Sequence, residues 1–198
     1  MEKIGLFYGS DTGCTEAVAR LIRDLIGIDK VDVFDVYDIR GDEPNQYNKL
    51  ILGLSTWHDG QLQSSWDDYY SKFYDLDFSG KTVALFGLGD QYGYSTYFCD
   101  GIGVIGKLAE KNGASIIGNW PTEGYEHDDS KALIDDDTFI GLCLDEDNQE
   151  DLTDERVHAW VKQIVQEMAS HMKKEELILF PFIKKLVKAE REGNDIPA

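Results

Sequence analysis

The 198-residue sequence predicts an α/β fold, a parallel sheet of five strands with helices packed on both of its faces in three layers. Three observations carry this. Short apolar runs recur without polar alternation, as strands buried on both faces require. Segments with apolar residues at helical spacing lie between them. The joints between the two kinds of segment are short, which favours parallel strands linked by right-handed helical crossovers.

The elements follow in chain order. Ile4–Tyr8 reads as the first strand and ends at Gly9. A loop of Ser10, Asp11, Thr12, Gly13, Cys14 and Thr15 follows, then a helix with Ala17, Val18, Leu21, Ile22 and Leu25 on one face. Val31–Tyr37 is the second strand, Leu50–Leu54 the third, Ser64–Tyr74 a helix, and Thr82–Gly87 the fourth strand. A helix over Tyr97–Asn112 leads to Ser115–Gly118, the start of a fifth strand. A polar, acidic segment, Trp120–Thr138, interrupts it before strand character returns at Phe139–Leu144. The last helix begins at Thr153 and carries Val157, Trp160, Val161, Ile164 and Val165.

Composition narrows the function. There are 38 acidic residues against 19 basic ones, a formal charge of −19. Such a surface excludes nucleic acid and anionic membrane as main partners and favours steering toward basic protein surfaces. The charge is uneven: residues 171–198 hold 6 basic and 5 acidic side chains, leaving 13 and 33 in the first 170. Three cysteines, Cys14, Cys99 and Cys143, are widely spaced with no metal-type pairing. With no membrane-length apolar stretch and no secretory leader pattern, the expected location is the cytoplasm.

In an open parallel sheet, ligands sit beyond the carboxyl ends of the strands, so the post-strand loops are the candidate site. The first combines hydroxyls with a helix N-terminus, whose free amides and positive dipole end favour an anion. It has no lysine or arginine and neither the triphosphate-loop nor the three-glycine dinucleotide pattern. A terminal monophosphate held by amides and hydroxyls fits it, although a turn that only caps a helix has the same composition. After the third strand comes Ser55-Thr56-Trp57-His58-Asp59-Gly60; after the fourth comes Gly87-Leu88-Gly89-Asp90-Gln91-Tyr92-Gly93-Tyr94. Trp57 and Tyr94 can stack on the two faces of one flat ring while the first loop holds that ring's phosphate. An aromatic residue alone means little, but three such features on three loops at one end of the sheet point to one site.

These pieces resemble the flavodoxin family over about residues 1–170. GSDTGCT, STWHDG and GLGDQYGY match in order after the first, third and fourth strands; WPTEGYE, GLCLDEDNQ and LTDERVHAW match further on. The insertion at about 120–138 is similar to that of the long-chain, flavodoxin B-like branch. The resemblance implies a flavodoxin-like sheet of order 2-1-3-4-5 with its fifth strand split. It also implies noncovalently bound FMN and a low-potential one-electron carrier that moves electrons between a reductase and acceptor enzymes rather than an enzyme with catalytic residues. By the same resemblance Ser10 through Thr15 hold the phosphate, and Ser55 and Thr56 lie at the phosphate and ribityl end. Trp57 is the inner aromatic and Tyr94 the outer one, with His58, Asp59 and Gly60 in the turn beside them. Gly89, Asp90 and Gln91 lie at the pyrimidine edge, and Asp147, with Asp145 and Asn148, near the ribityl chain. Cys14 departs from the lysine or asparagine common in its slot, leaving the phosphate less compensated. The implied partners are the basic surfaces of a flavodoxin reductase and of acceptor proteins.

Two rival readings stand beside the carrier: an FMN-dependent NAD(P)H or quinone oxidoreductase, and a non-redox scaffold with the C-terminal tail as its interaction module. Residues 171–198 form a separate expectation, a helical extension. It resembles one helix of the di-iron hemerythrin-like iron–sulfur cluster repair proteins, with His171 and Glu175 four residues apart. Two ligands on one helix do not make a di-iron site, so no metal is expected. Leu177, Ile178, Phe180, Phe182, Ile183, Leu186 and Val187 give the extension an apolar set suited to contact between copies in a homo-oligomer.

Overall fold

The computed structural model describes residues 2–170. The expected extension over 171–198, including His171, Glu175 and the oligomer contact, lies outside the described residues.

Strands β1 (Ile4–Tyr8), β2 (Val31–Asp35), β3 (Lys49–Trp57) and β5 (Thr82–Leu88) form the body of one sheet, all parallel. A two-residue strand, β4 (Gln61–Leu62), folds back antiparallel on the end of β3. The fifth principal strand is split. β6 (Ser115–Ile117) pairs with Thr82–Ala84, and β10 (Leu142–Leu144) pairs with Phe86–Leu88, both parallel to β5. Counting principal strands, the order is the expected 2-1-3-4-5 of a doubly wound sheet. Between the halves of the split strand, β7 (Trp120–Pro121), β8 (Leu133–Asp135) and β9 (Thr138–Phe139) make a small separate sheet.

Alternation along the strands divides the core into two layers. Ile4, Leu6 and Tyr8 of β1 and Ala84, Phe86 and Leu88 of β5 face α1 (Cys14–Ile26) and the last helix, α4 (150–170), meeting Val18, Ile22, Val157, Trp160 and Ile164. Phe7, Leu50, Leu52, Leu54, Val83 and Leu85 face the other way, onto α2 (Ser64–Tyr74) and α3 (Asp100–Lys111), where Trp66, Phe73, Ile102 and Ile105 close the layer. Both faces of the sheet are covered, which is why its strands read as unbroken apolar runs.

Several expected boundaries move, each for a local reason. Val31–Tyr37 stops as a strand at Asp35, whose carboxylate accepts from the Tyr37 amide and opens a 3₁₀ turn over Val36–Asp38. Leu50–Leu54 extends to Trp57 because β4 pairs with Thr56 and Trp57. The helix expected from Tyr97 begins only at Asp100, since Cys99 before it has a left-handed backbone, φ 55°. Phe139–Leu144 is two strands: Phe139 pairs in the small sheet and Leu142–Leu144 in the main one. The last helix starts at 150, ahead of Thr153.

Candidate functional site

At the carboxyl ends of β1, β3, β5 and β10 the chain leaves a cleft of about 270 Å³. Its walls are Thr12, Cys14, Thr15, Ser55, Thr56, Trp57, His58, Leu88, Gly89, Asp90, Tyr94, Glu146 and Asp147. Most of the residues singled out in the sequence therefore meet here, brought from four separate loops.

The first loop supplies the anion end. Gly13 precedes α1 with φ 95°, a conformation a side chain makes costly, and among the described residues no side chain caps the helix. The helical amides that follow therefore have only the loop's interior to serve. Ser10 Oγ accepts from the Gly13 amide at 3.0 Å and keeps the loop curled. Asp11 turns away: its carboxylate accepts from Gln63 Nε2 (3.0 Å) and Ser64 Oγ (2.6 Å), tying the loop to α2 and taking its charge from the anion's path. Ser10, Asp11 and Gly13 thus shape the loop from outside the cleft lining. Thr15, although on the wall, is buried.

The second loop is a tight turn rather than the open loop its composition implies. Ser55, Thr56 and Trp57 belong to β3, and Thr56 Oγ1 accepts from the Gly101 amide at 2.9 Å. Trp57 lines the cleft, and its indole N–H is shielded without a protein partner among the described residues. A buried donor without an acceptor is costly, and here it stands at the wall the hydroxyl loop shares. His58 turns the chain with φ 43°, and the Gly60 amide donates to the His58 carbonyl at 2.9 Å. Its ring contacts Trp57 and Tyr94, with centroids 6.2 and 6.4 Å away. Asp59 and Gly60 lie beyond the wall. A left-handed backbone costs a residue with a side chain about 1–2 kcal/mol, more than the entropy glycine adds to the unfolded chain, about 0.5–1 kcal/mol. His58→Gly is therefore expected to stabilise the cofactor-free protein by about 0.5–1 kcal/mol, raising Tm by a few degrees in a thermal melt. A lowered Tm would contradict strain at this turn.

The third and fourth loops are one network. Asp145 is fully buried. Its Oδ2 accepts from the Gln91 amide (3.1 Å) and Gln91 Nε2 (2.7 Å), and its Oδ1 from the amides of Asp147 (3.2 Å) and Asn148 (3.0 Å). Asn148 Nδ2 adds contacts to both Asp145 oxygens and donates to Asp90 Oδ1 at 2.9 Å. Asp90 also accepts from the amides of Gly93 (2.7 Å) and Tyr92 (3.0 Å). Burial works to raise the Asp90 carboxyl, but those amides and Asn148 outweigh it and hold it below the usual carboxylate range. Gln91 points its side chain inward, where Oε1 accepts from the Glu126 amide at 2.6 Å; it braces the loop and leaves the cleft to Gly89, Asp90 and Tyr94. Leu88 and Glu146 are wall residues that the sequence reading missed. Glu146 accepts from Thr153 Oγ1, and its place beside the matched Asp147 was the available signal.

Trp57 and Tyr94 on one cleft, an orphan indole donor and an uncapped helix N-terminus fit a flat aromatic ring carrying a phosphate. Among the described residues the wall carries no lysine or arginine, and the amide dipoles, the hydroxyls and the indole N–H are there to meet that charge.

A family model described as "Flavodoxin" matches residues 6–160. The flavodoxin of Haemophilus influenzae is 48% identical over 168 residues, spanning 85% of this chain and 97% of that one. Flavodoxin 1 of Escherichia coli K12 is 49% identical over 164 residues, with 83% and 93% covered. Among solved structures, Fusobacterium nucleatum flavodoxin bound to flavin mononucleotide superposes with a TM-score of 0.80 at 32% identity, covering 84% of this chain and 99% of that one. With the sheet order, the split fifth strand and the cleft at its carboxyl edge, these matches place the chain in the flavodoxin family.

Proposed function

We propose that this chain is an electron-transfer flavoprotein rather than an enzyme, a one-electron carrier that works with noncovalently bound FMN. The observation that carries the reading is the cleft itself, where Trp57 and Tyr94 stand on walls that run into the hydroxyl loop at the start of α1. FMN, when bound, supplies the redox chemistry, and the protein sets its position and its energetics. Residues 1–170 make up the binding unit.

Each part of the wall has a task. The loop from Ser10 to Thr15 and the indole N–H of Trp57 hold the phosphate. Thr56, Glu146 and Asp147 line the path between phosphate and ring. Gly89 and Asp90 meet the ring's polar edge, and Trp57 and Tyr94 exclude water from its faces. The carboxylates of Asp90, Glu146 and Asp147, in a body of charge −20, oppose added negative charge. That favours a low potential, each 1.4 kcal/mol of such opposition being worth about 60 mV for one electron. The same acidity suits docking on the basic faces of a reductase and of acceptor proteins. Among the described residues no helix is long and apolar enough to cross a membrane; a cytoplasmic setting belongs to this reading.

The test is flavin fluorescence. FMN added to the cofactor-free protein is expected to be strongly quenched. Trp57→Ala is expected to restore emission and to weaken binding by about 1–3 kcal/mol, from lost ring contact and lost burial. Tyr94→Ala should do the same to a smaller extent, because Tyr94 is 42% exposed. Full quenching in both variants would contradict a ring held between them.

A further inference from the structure

We propose that Lys131, in the insertion that splits the fifth strand, is a positioning residue for the cleft, acting through Asp100 on the turn that carries Trp57 and His58. Asp100 opens α3 and is 1% exposed. Its Oδ1 accepts from the Lys131 amide at 2.7 Å, and its Oδ2 pairs with Lys131 Nζ at 2.7 Å. Both halves of one buried carboxylate are therefore committed to a single residue of the insertion. The Asp100–Lys131 pair lies directly behind the turn. A side-chain carbon placed on Gly60 would stand 2.5 Å from Asp100 Oδ2 and 3.2 Å from Lys131 Nζ, so the pair forms the surface against which Gly60 is pressed.

Next to this contact, the amide of Gly101 donates to Thr56 Oγ1, so the first turn of α3 grips both ends of the segment from Thr56 to Gly60. Within that segment His58, which carries a side chain, is in the left-handed region at φ 43°. A segment holding unfavourable backbone angles keeps them only where its surroundings over-determine it. The hydrogen bond within the turn, from the Gly60 amide to the His58 carbonyl, is one such constraint; the wall made by Asp100 and Lys131 is the other. The insertion is thereby part of the site's frame, although of its residues 120–138 none lines the cleft. Lys131 reaches the site at one remove, and the half-exposed position of its side chain (56%) lets it be changed without emptying the core.

The effect on binding rests on the FMN reading; the effect on the turn does not. The experiment therefore has two arms on the full chain. In the first, amide hydrogen exchange of the cofactor-free protein is followed at Gly60 and at core strands β1 and β5. Lys131→Met is expected to speed exchange at Gly60 about fivefold, the factor set by about 1 kcal/mol, and to leave the core strands unchanged. Lys131→Arg, which keeps the charge, is expected to restore the wild-type rate, and Lys162→Met, on the exposed face of α4, to change nothing. In the second arm, FMN affinity is expected to fall several-fold in Lys131→Met and to recover in Lys131→Arg. Asp100→Asn gives an independent route to the same turn and is expected to speed Gly60 exchange at least as much. Unchanged Gly60 exchange in both Lys131→Met and Asp100→Asn would overturn the proposal. So would faster exchange with undiminished FMN affinity, since the bridge would then hold a turn that does not shape the site. Failure of the wild-type chain to bind FMN would refute the functional reading and the binding half of the proposal, while the exchange arm would still decide the bridge.

Discussion

FMN is expected to bind the cofactor-free protein at least about a hundredfold more tightly than riboflavin, which has the same ring and ribityl chain but no phosphate. The difference comes from the loop over residues 10–15. Its α1 begins without a side-chain cap, so the first-turn amides donate to whatever occupies the loop, and the dipole end adds partial positive charge. The hydroxyls of Thr12 and Thr15, which line the cleft, and the orphan indole N–H of Trp57 are further donors. Hydrogen bonds to a charged group are worth about 1.5–3 kcal/mol each. Two of them, after desolvation of the phosphate, already exceed the 2.7 kcal/mol that corresponds to about a hundredfold. Among the described residues no lysine or arginine lines the cleft, so none of their formal cations accounts for this preference. Isothermal titration of both ligands checks it, and equal affinities would remove the phosphate from the account.

Replacing Asp145 with alanine is expected to be the most damaging single change near the cleft, at about 3–5 kcal/mol of stability. The carboxylate is fully buried and accepts from two main-chain amides of its own loop, from the Gln91 amide and from the side chains of Gln91 and Asn148. Removing it strands the Gln91 donors and the loop amides in a place water reaches poorly, and a buried donor left unpaired costs about 1–3 kcal/mol. For a domain of this size the loss corresponds to a Tm lower by about 10 °C. It should also loosen Asp90, because Asn148 joins Asp145 to Asp90. A Tm within about 2 °C of wild type would show that the network is not what holds these two loops together.

Much of this was legible in the sequence because burial on both faces of a parallel sheet leaves an unmistakable trace. Ile4–Tyr8, the helix Ser64–Tyr74 and the split fifth strand all stand where apolar spacing puts them. Trp57 and Tyr94 were legible as a pair because both follow strands at the same end of the sheet. What was not legible depends on contacts between distant residues. Nothing local in Gln91 says that its amide reaches Asp145, 54 positions later, or that its side chain turns inward. Asp11 reads as part of an anion loop, yet Gln63 and Ser64 draw its carboxylate away. Cys99 has no glycine-like signature, yet its backbone is left-handed, which delays the start of α3. The two-residue strand β4 is too short for any periodicity, and it turned an expected loop into a hairpin. Lys131 reads as one more charge in an acidic insertion until the fold sets it against Asp100.

The central claim, a carrier that needs a separate reductase, is tested most directly by following electrons. The FMN-loaded chain is mixed under anaerobic conditions with NADPH and cytochrome c, with and without a flavodoxin reductase. Cytochrome c reduction is expected only with the reductase present, to rise with the concentration of this chain, and to fall with added salt as the acidic surface is screened. Sustained NADPH oxidation by the loaded chain alone, accelerated by a quinone, would contradict the carrier and identify an oxidoreductase instead.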